Sequence, residues 1–180
     1  MIPQKQMYSR SRLAPPRSRR KDRTRLPKAI QRLPGKFWLS VELVELLAPL
    51  GLTERRLQWW DEQRIVSPRH VAHNRVYMLP DVLELIIVLW LRMRRVVSSR
   101  RAKETLAEFR SYQKLQLPLD HNNGYVVIVH KNQHTKIAGM ASPAADALTL
   151  CKQAIGPTQV LAIGEFAAAL EAGAPLPKLR

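Results

Sequence analysis

The stretch GLTERRLQWWDEQRIVSPRH (51–70) restricts the possible folds more than any other part of the chain. A glycine at its start and a proline near its end bound one helix over 53–64, with Thr53 as the predicted N-cap. Neighbouring helical side chains point about 100° apart, so Trp59 and Trp60 cannot enter the same core. One indole should therefore be buried, and the other should face outward.

The helical spacing indicates which indole is which. Leu57 and Trp60 are i, i+3 neighbours on the predicted core side, and Arg56, Trp59 and Gln63 form the adjoining outward stripe. Two alternatives remain open. Trp59 could pack in a small cluster with the next hairpin or with the N-terminal segment, and the arginines could be ordinary solvated surface charge.

The flanking segments extend this pattern. Residues 38–51 predict an amphipathic helix with Ser40 as N-cap, which is closed by a proline and Gly51. Two such helices joined by a short glycine-containing turn are typical of a helix–turn–helix. Polar and β-branched residues alternate along the segment 69–79, and its length suits a short hairpin.

Charge is concentrated towards the N-terminus. The chain has 180 residues and a net charge of +16, with a pI near 10.9. Residues 1–36 contain twelve Lys or Arg against one Asp, 37–117 thirteen basic against nine acidic residues, and 118–180 five against four. Such a field favours a polyanionic partner, first a nucleic acid and then an anionic membrane surface.

The remaining segments predict an α+β protein. Residues 1–36 are expected to form a basic flexible arm, 37–117 a mostly helical winged helix–turn–helix domain, and 118–123 a linker. Residues 124–180 predict a small ββαβα module. Its strands are expected at 125–130, 134–139 and 159–164 and its helices at 142–156 and 165–173; the earlier helices are expected at 80–95 and 98–115.

Several function classes are disfavoured by the sequence. The apolar run VLELIIVLWL (82–91) is half the length of a membrane span and predicts a buried helix, so we expect no membrane insertion. The N-terminus lacks the apolar region of a secretory signal, although an organellar transit peptide is an alternative. Cys151 is the only cysteine and the histidines are scattered, so we expect no metal, no cofactor and no enzymatic activity.

The region 38–109 resembles the DNA-binding domain of the MerR family of bacterial transcription regulators. That family's pattern is T-P-x-T-L-R-Y-Y/W-E-x-x-G-L-L-x-P, then a wing G-Y-R-x-Y and a helix beginning D-L/V-x-x-L. The matching residues are Thr53, Leu57, Trp59, Trp60, Asp61, Ile65, Val66, Pro68, Arg75, Tyr77, Asp81, Val82 and Leu85. The chain departs from the pattern at Gln58, at His73–Asn74 in the wing, and at 95–96 after the following helix.

The resemblance implies a recognition helix in the major groove and a wing on neighbouring phosphates. It gives Trp59 the phosphate-facing position, Trp60 the packing position and Arg75 the wing arginine. The candidate DNA-binding residues are Thr53, Arg55, Arg56, Gln58, Trp59, Arg69, His70, Arg75 and Tyr77.

The function expected from these features is sequence-specific binding of double-stranded DNA by a cytoplasmic, nucleoid-associated homodimer. The resemblance implies action at a promoter in contact with RNA polymerase. The helix 98–115 is too short for the family's long coiled coil, so the dimer could form through the hairpin 125–139; an appendage with its own core is the alternative reading of that module. Two other functions remain open: an excisionase-like architectural DNA-bending protein, and an RNA- or ribosome-associated binder.

Overall fold

A computed structural model describes residues 26–93, 98–116, 124–131, 134–141 and 144–178. The fold is α+β, with seven α-helices and two three-stranded antiparallel sheets in the described ranges. The helices are α1 (Lys28–Gln31), α2 (Ser40–Leu47), α3 (Glu54–Glu62), α4 (Leu79–Met93), α5 (Ser99–Gln116), α6 (Ala144–Gln153) and α7 (Ile163–Ala172). The strands are β1 (Phe37–Leu39), β2 (Arg69–Val71), β3 (Asn74–Met78), β4 (Tyr125–Lys131), β5 (His134–Ala141) and β6 (Thr158–Leu161).

The first sheet has the order β1-β3-β2. Its β2–β3 hairpin is the one predicted over 69–79. Ala72 and His73 form the two-residue turn with φ values of 47° and 64°, the left-handed geometry that suits the twist of a tight hairpin. The turn therefore forms without the glycine that usually occupies such positions.

Strand β1 was not predicted. Residues 37–39 pair with β3, and the helix expected from residue 38 begins only at Ser40. Ser40 is the first helical residue and Leu39 the N-cap, so the expected Ser40 cap is wrong. The Leu39 N–H instead donates to the Glu42 carboxylate at 2.9 Å, which satisfies one of the free donors at the start of α2.

The end of the predicted flexible arm is folded. Residues 26–36 contain α1, and Ile30 is fully buried in a cluster with Leu39 and Val76 on the first sheet. The Lys36 ammonium donates to two backbone carbonyls at the C-terminal end of α7, at 2.6 and 3.1 Å. The expectation of a flexible arm is thus wrong for 26–36, and its part over 1–25 lies outside the described residues.

Helix α4 forms the centre of the molecule. The apolar run 82–91 is buried along its whole length, as its composition predicts. Asp81 accepts a hydrogen bond from the Met78 N–H at 2.8 Å, which fixes the start of the helix against β3. Burial raises the pKa of the Asp81 carboxyl. No helix in the described ranges is long and apolar enough to cross a membrane.

The C-terminal module has the predicted ββαβα order, with sheet order β5-β4-β6. Helix α7 packs on α4, and β5 packs along α5. Val126, Ile128 and Phe166 of the module belong to the same buried cluster as the α4 side chains. The module therefore shares the core around α4, and β4, β5 and α6 also form a smaller buried cluster of their own, so the alternative of an appendage with its own core holds only in part. The linker predicted over 118–123 and the departure at 95–96 lie outside the described residues.

Candidate nucleic-acid interface

Helix α3 begins where the sequence predicts. The Thr53 hydroxyl accepts the Arg56 N–H at 3.3 Å and so caps the helix. Leu57 and Trp60 are 2% and 1% exposed, and the following Ile65 is buried beside them. These side chains pack one side of α3 against the core, and the opposite side is exposed to solvent.

The outward side of α3 carries the predicted contact residues. The Trp59 side chain is 39% exposed, and Arg55, Arg56 and Gln58 are also exposed. Arg56 donates to the Gly51 carbonyl at 2.6 Å, and Gln58 donates to the Glu62 carboxylate at 3.1 Å. The assignment of Trp60 to the core and Trp59 to the surface is confirmed.

The segment that follows α3 is held by a partly buried ion pair that the sequence did not predict. Arg110 of α5 makes two hydrogen bonds to the Glu84 carboxylate of α4, at 2.7 and 2.6 Å, and a third to the Ile65 carbonyl at 2.8 Å. The Glu84 carboxylate raises the pKa of Arg110, and Glu84 is only 6% exposed. This contact joins α4 and α5 to the Ile65 carbonyl, three residues beyond the end of α3.

The hairpin is tied to α3 through Asp61. Arg75 Nε donates to the Asp61 carboxylate at 2.6 Å, and His70 Nε2 lies 3.2 Å from the same oxygen. The Asp61 hydrogen bond raises the pKa of Arg75. The Arg75 side chain is 32% exposed and that of His70 is 58% exposed, so both reach the surface. The geometry gives Arg75 a role in positioning the hairpin; its phosphate contact stays a prediction.

Tyr77 requires a correction. It was named as a DNA-binding residue because it follows Arg75 in the hairpin, but its side chain is fully buried. Burial and the nearby Asp61 raise the pKa of its hydroxyl well above the usual range. Tyr77 and Val76 point to opposite faces of the sheet, and both are fully buried, so neither joins the contact surface. Arg69, in β2, is exposed as predicted.

A concavity of about 540 Å³ opens beside the start of α3. Its lining residues are Thr53, Arg55, Arg56, Trp59, Trp60 and Arg92. Arg92, at the end of α4, was not among the predicted site residues, because it is distant in sequence and the helix ends within the basic stretch RMRR. Five of the lining residues are exposed, and three of these carry a guanidinium group.

Three exposed guanidinium groups in one concavity suit the recognition of an anion. Among the described residues, no group of three or more His, Cys, Asp or Glu could hold a metal ion. Cys151 is a free, partly buried thiol on α6. No protein-family model matches the sequence, and no curated protein matches it either.

Proposed function

We propose that this chain is a sequence-specific DNA-binding transcription regulator with a winged helix–turn–helix of MerR type. In this proposal α3 enters the major groove and the β2–β3 hairpin, the wing, lies on adjacent phosphates. The observation that carries the proposal is the division of α3 into two sides. Leu57 and Trp60 anchor the helix, while Arg55, Arg56 and Trp59 face solvent.

The local architecture supports a groove-binding role. Helices α2 and α3 are separated by a 3₁₀ turn and Gly51, whose φ of 83° closes the turn in the left-handed region. An α-helix with its side chains is about 10–12 Å across, which fits a major groove roughly 12 Å wide, and the nine residues of α3 give this rod a length of about 14 Å. Asp61 joins the wing to this rod through Arg75, so the two contact elements keep a fixed spacing.

Charge supports a polyanionic partner. The chain carries +16, of which residues 1–36 contribute twelve basic side chains against one acidic. The basic arm would track phosphates or enter the minor groove, without reading sequence itself. If the arm and the domain neutralise about eight phosphates, log affinity should fall with log salt at a slope near −7.

The expected assembly is a homodimer on paired half-sites, since most helix–turn–helix proteins read two-fold operators. Helix α5 has 18 residues, too few for three heptads of coiled coil, so the dimer contact is assigned to the nearly neutral C-terminal module. On this proposal the protein acts in the cytoplasm at the nucleoid, where it alters the DNA at a promoter and thereby the contact with RNA polymerase. It is a binding protein and not an enzyme.

A second candidate is an excisionase-like architectural protein that bends DNA during recombination. The short α5 favours it, because a DNA-bending protein that binds in arrays needs no long dimerisation helix. The module 124–178 speaks against it, since a minimal architectural domain would not need that additional sheet. An RNA- or ribosome-associated role would depend on the basic arm alone.

Selection of bound duplexes from a random pool at two ionic strengths tests the proposal. A regulator should enrich one sequence at both salt concentrations, and footprinting of that sequence should show paired half-sites. Arg56→Ala and Trp59→Ala should weaken the specific complex, while Lys152→Ala, at an exposed position of α6, should not. Enrichment of no sequence would refute the proposal, and phased arrays of sites would support the architectural role.

A further inference from the structure

The concavity beside α3 is built by two separate elements. Arg55, Arg56 and Trp59 come from the outward side of α3, and Arg92 comes from the last turn of α4. The side chains of all four are exposed. Because α4 is buried from 82 to 91, the backbone from which the Arg92 side chain extends is anchored in the core.

The chemistry of the lining is specific. Three guanidinium groups supply positive charge and several N–H donors in planar forks, the geometry that matches phosphate oxygens. The Trp59 indole supplies a flat apolar wall at the same place. Glu54, the acidic residue in the first turn of α3, is not part of the lining. A ligand that fits both features has an anionic group next to an apolar ring or sugar.

We propose that this concavity binds one phosphodiester group of the DNA backbone, with Arg92 as a contact that closes it from the α4 side. Arg55 and Arg92 hold the phosphate oxygens from two directions, and the Trp59 indole lies against the adjoining deoxyribose. This inference rests on the proposed DNA-binding function and adds α4 to the interface. One phosphate held between α3 and α4 would set how deeply α3 enters the groove, and thereby its register on the bases.

The test compares Arg92→Ala with Lys152→Ala on the duplex selected by the wild-type protein. Both substitutions remove one positive charge, but Lys152 lies on α6 and outside the concavity. Arg92→Ala should weaken binding about tenfold and make the salt slope less steep by about one, whereas Lys152→Ala should change neither. Thermal melts of both variants should match the wild type, since both side chains are exposed.

A neutral methylphosphonate, placed at each backbone position in turn, locates the contact. At one position per half-site the substitution should weaken wild-type binding but leave the Arg92→Ala complex almost unchanged, because the phosphate contact is already lost. Additive losses at every position would overturn the inference while leaving DNA binding intact. If the wild-type protein selects no duplex, the proposed function and this inference both fail.

Discussion

Replacing each of the adjacent tryptophans on α3 separates their two roles. Trp60 is 1% exposed, so Trp60→Ala removes a fully buried indole and leaves a cavity. Large-to-small changes of this kind cost roughly 3–5 kcal/mol. Trp59 is 39% exposed, so it buries roughly three-fifths of its surface, and water can fill the space it leaves. Trp59→Ala should therefore cost only about 1–2 kcal/mol.

Urea unfolding followed by far-UV circular dichroism measures both losses without relying on tryptophan fluorescence. The difference between the two variants should be at least about 1 kcal/mol, which is roughly 2–4 °C in Tm for a chain of this size. DNA binding at a temperature where both variants are folded should show the opposite order. Trp59→Ala should lose more affinity than Trp60→Ala. Equal stability losses would refute the assignment of the two faces.

Three further experiments test contacts that hold the interface and the N-terminal part of the fold. Arg110→Ala leaves the Glu84 carboxylate, which is 6% exposed, without its charged partner. The variant should lose about 3–5 kcal/mol of unfolding free energy in urea. Adding Glu84→Gln should recover much of this loss, because the neutral amide needs no charged partner. Asp61→Asn weakens the link to Arg75, and should cost about 1–2 kcal/mol and speed amide hydrogen exchange in the β2–β3 hairpin. Ile30→Ala, at a fully buried position, should cost about 2–4 kcal/mol in thermal or urea unfolding, because α1 is part of the fold.

A matched control for the last change is Leu148→Ala, since Leu148 is 62% exposed and its loss should be within about 0.5 kcal/mol. If Ile30→Ala lowers the free energy of unfolding as little as Leu148→Ala does, residues 26–36 do not contribute to the stability of the fold. If Glu84→Gln fails to rescue Arg110→Ala, the pair is not what holds the segment that follows α3. If amide hydrogen exchange in the β2–β3 hairpin is unchanged in the Asp61→Asn variant, the contacts of Asp61 with Arg75 and His70 do not position the hairpin.

Much of the fold follows from local patterns in the sequence. The Thr53 cap, the i, i+3 spacing of Leu57 and Trp60, and the apolar run 82–91 each specify their own element without distant information. The ββαβα order of the C-terminal module was predicted for the same reason. Turn residues and alternating apolar residues bound each of its strands, and helical spacing marks its helices.

The errors arose where tertiary contacts outweigh local signals. Strand β1 has three residues and no pattern of its own, and only its pairing with β3 makes it a strand. Charge and prolines around 26–36 indicated a flexible arm, but Ile30 finds a buried site on the first sheet. Tyr77 was assigned to DNA from its place in the wing motif, and strand alternation puts it on the same face as Arg75; only its burial in the core cluster excludes it from the contact surface.

The same distinction between local signals and tertiary contacts applies to the candidate site. Residues of one helix, such as Arg56 and Trp59, were located from helical periodicity alone. Arg92 and the Arg110–Glu84 pair were missed, because the residues that they meet lie 26 or more positions away along the chain, a distance that spacing rules do not span. Asp61 was matched only as part of a motif, and its contact with Arg75 became evident from the geometry.

The central claim is that the outward side of α3 reads double-stranded DNA, and the most direct test is a ratio of affinities. The affinity for the selected duplex is divided by the affinity for a scrambled duplex, at one fixed salt concentration, for three proteins. These are the full chain, the chain lacking residues 1–25, and the full chain with Arg56→Ala. We expect deletion of 1–25 to weaken binding to both duplexes and keep the ratio, and Arg56→Ala to lower the ratio about tenfold or more. A ratio that disappears with residues 1–25 but survives Arg56→Ala would contradict the claim.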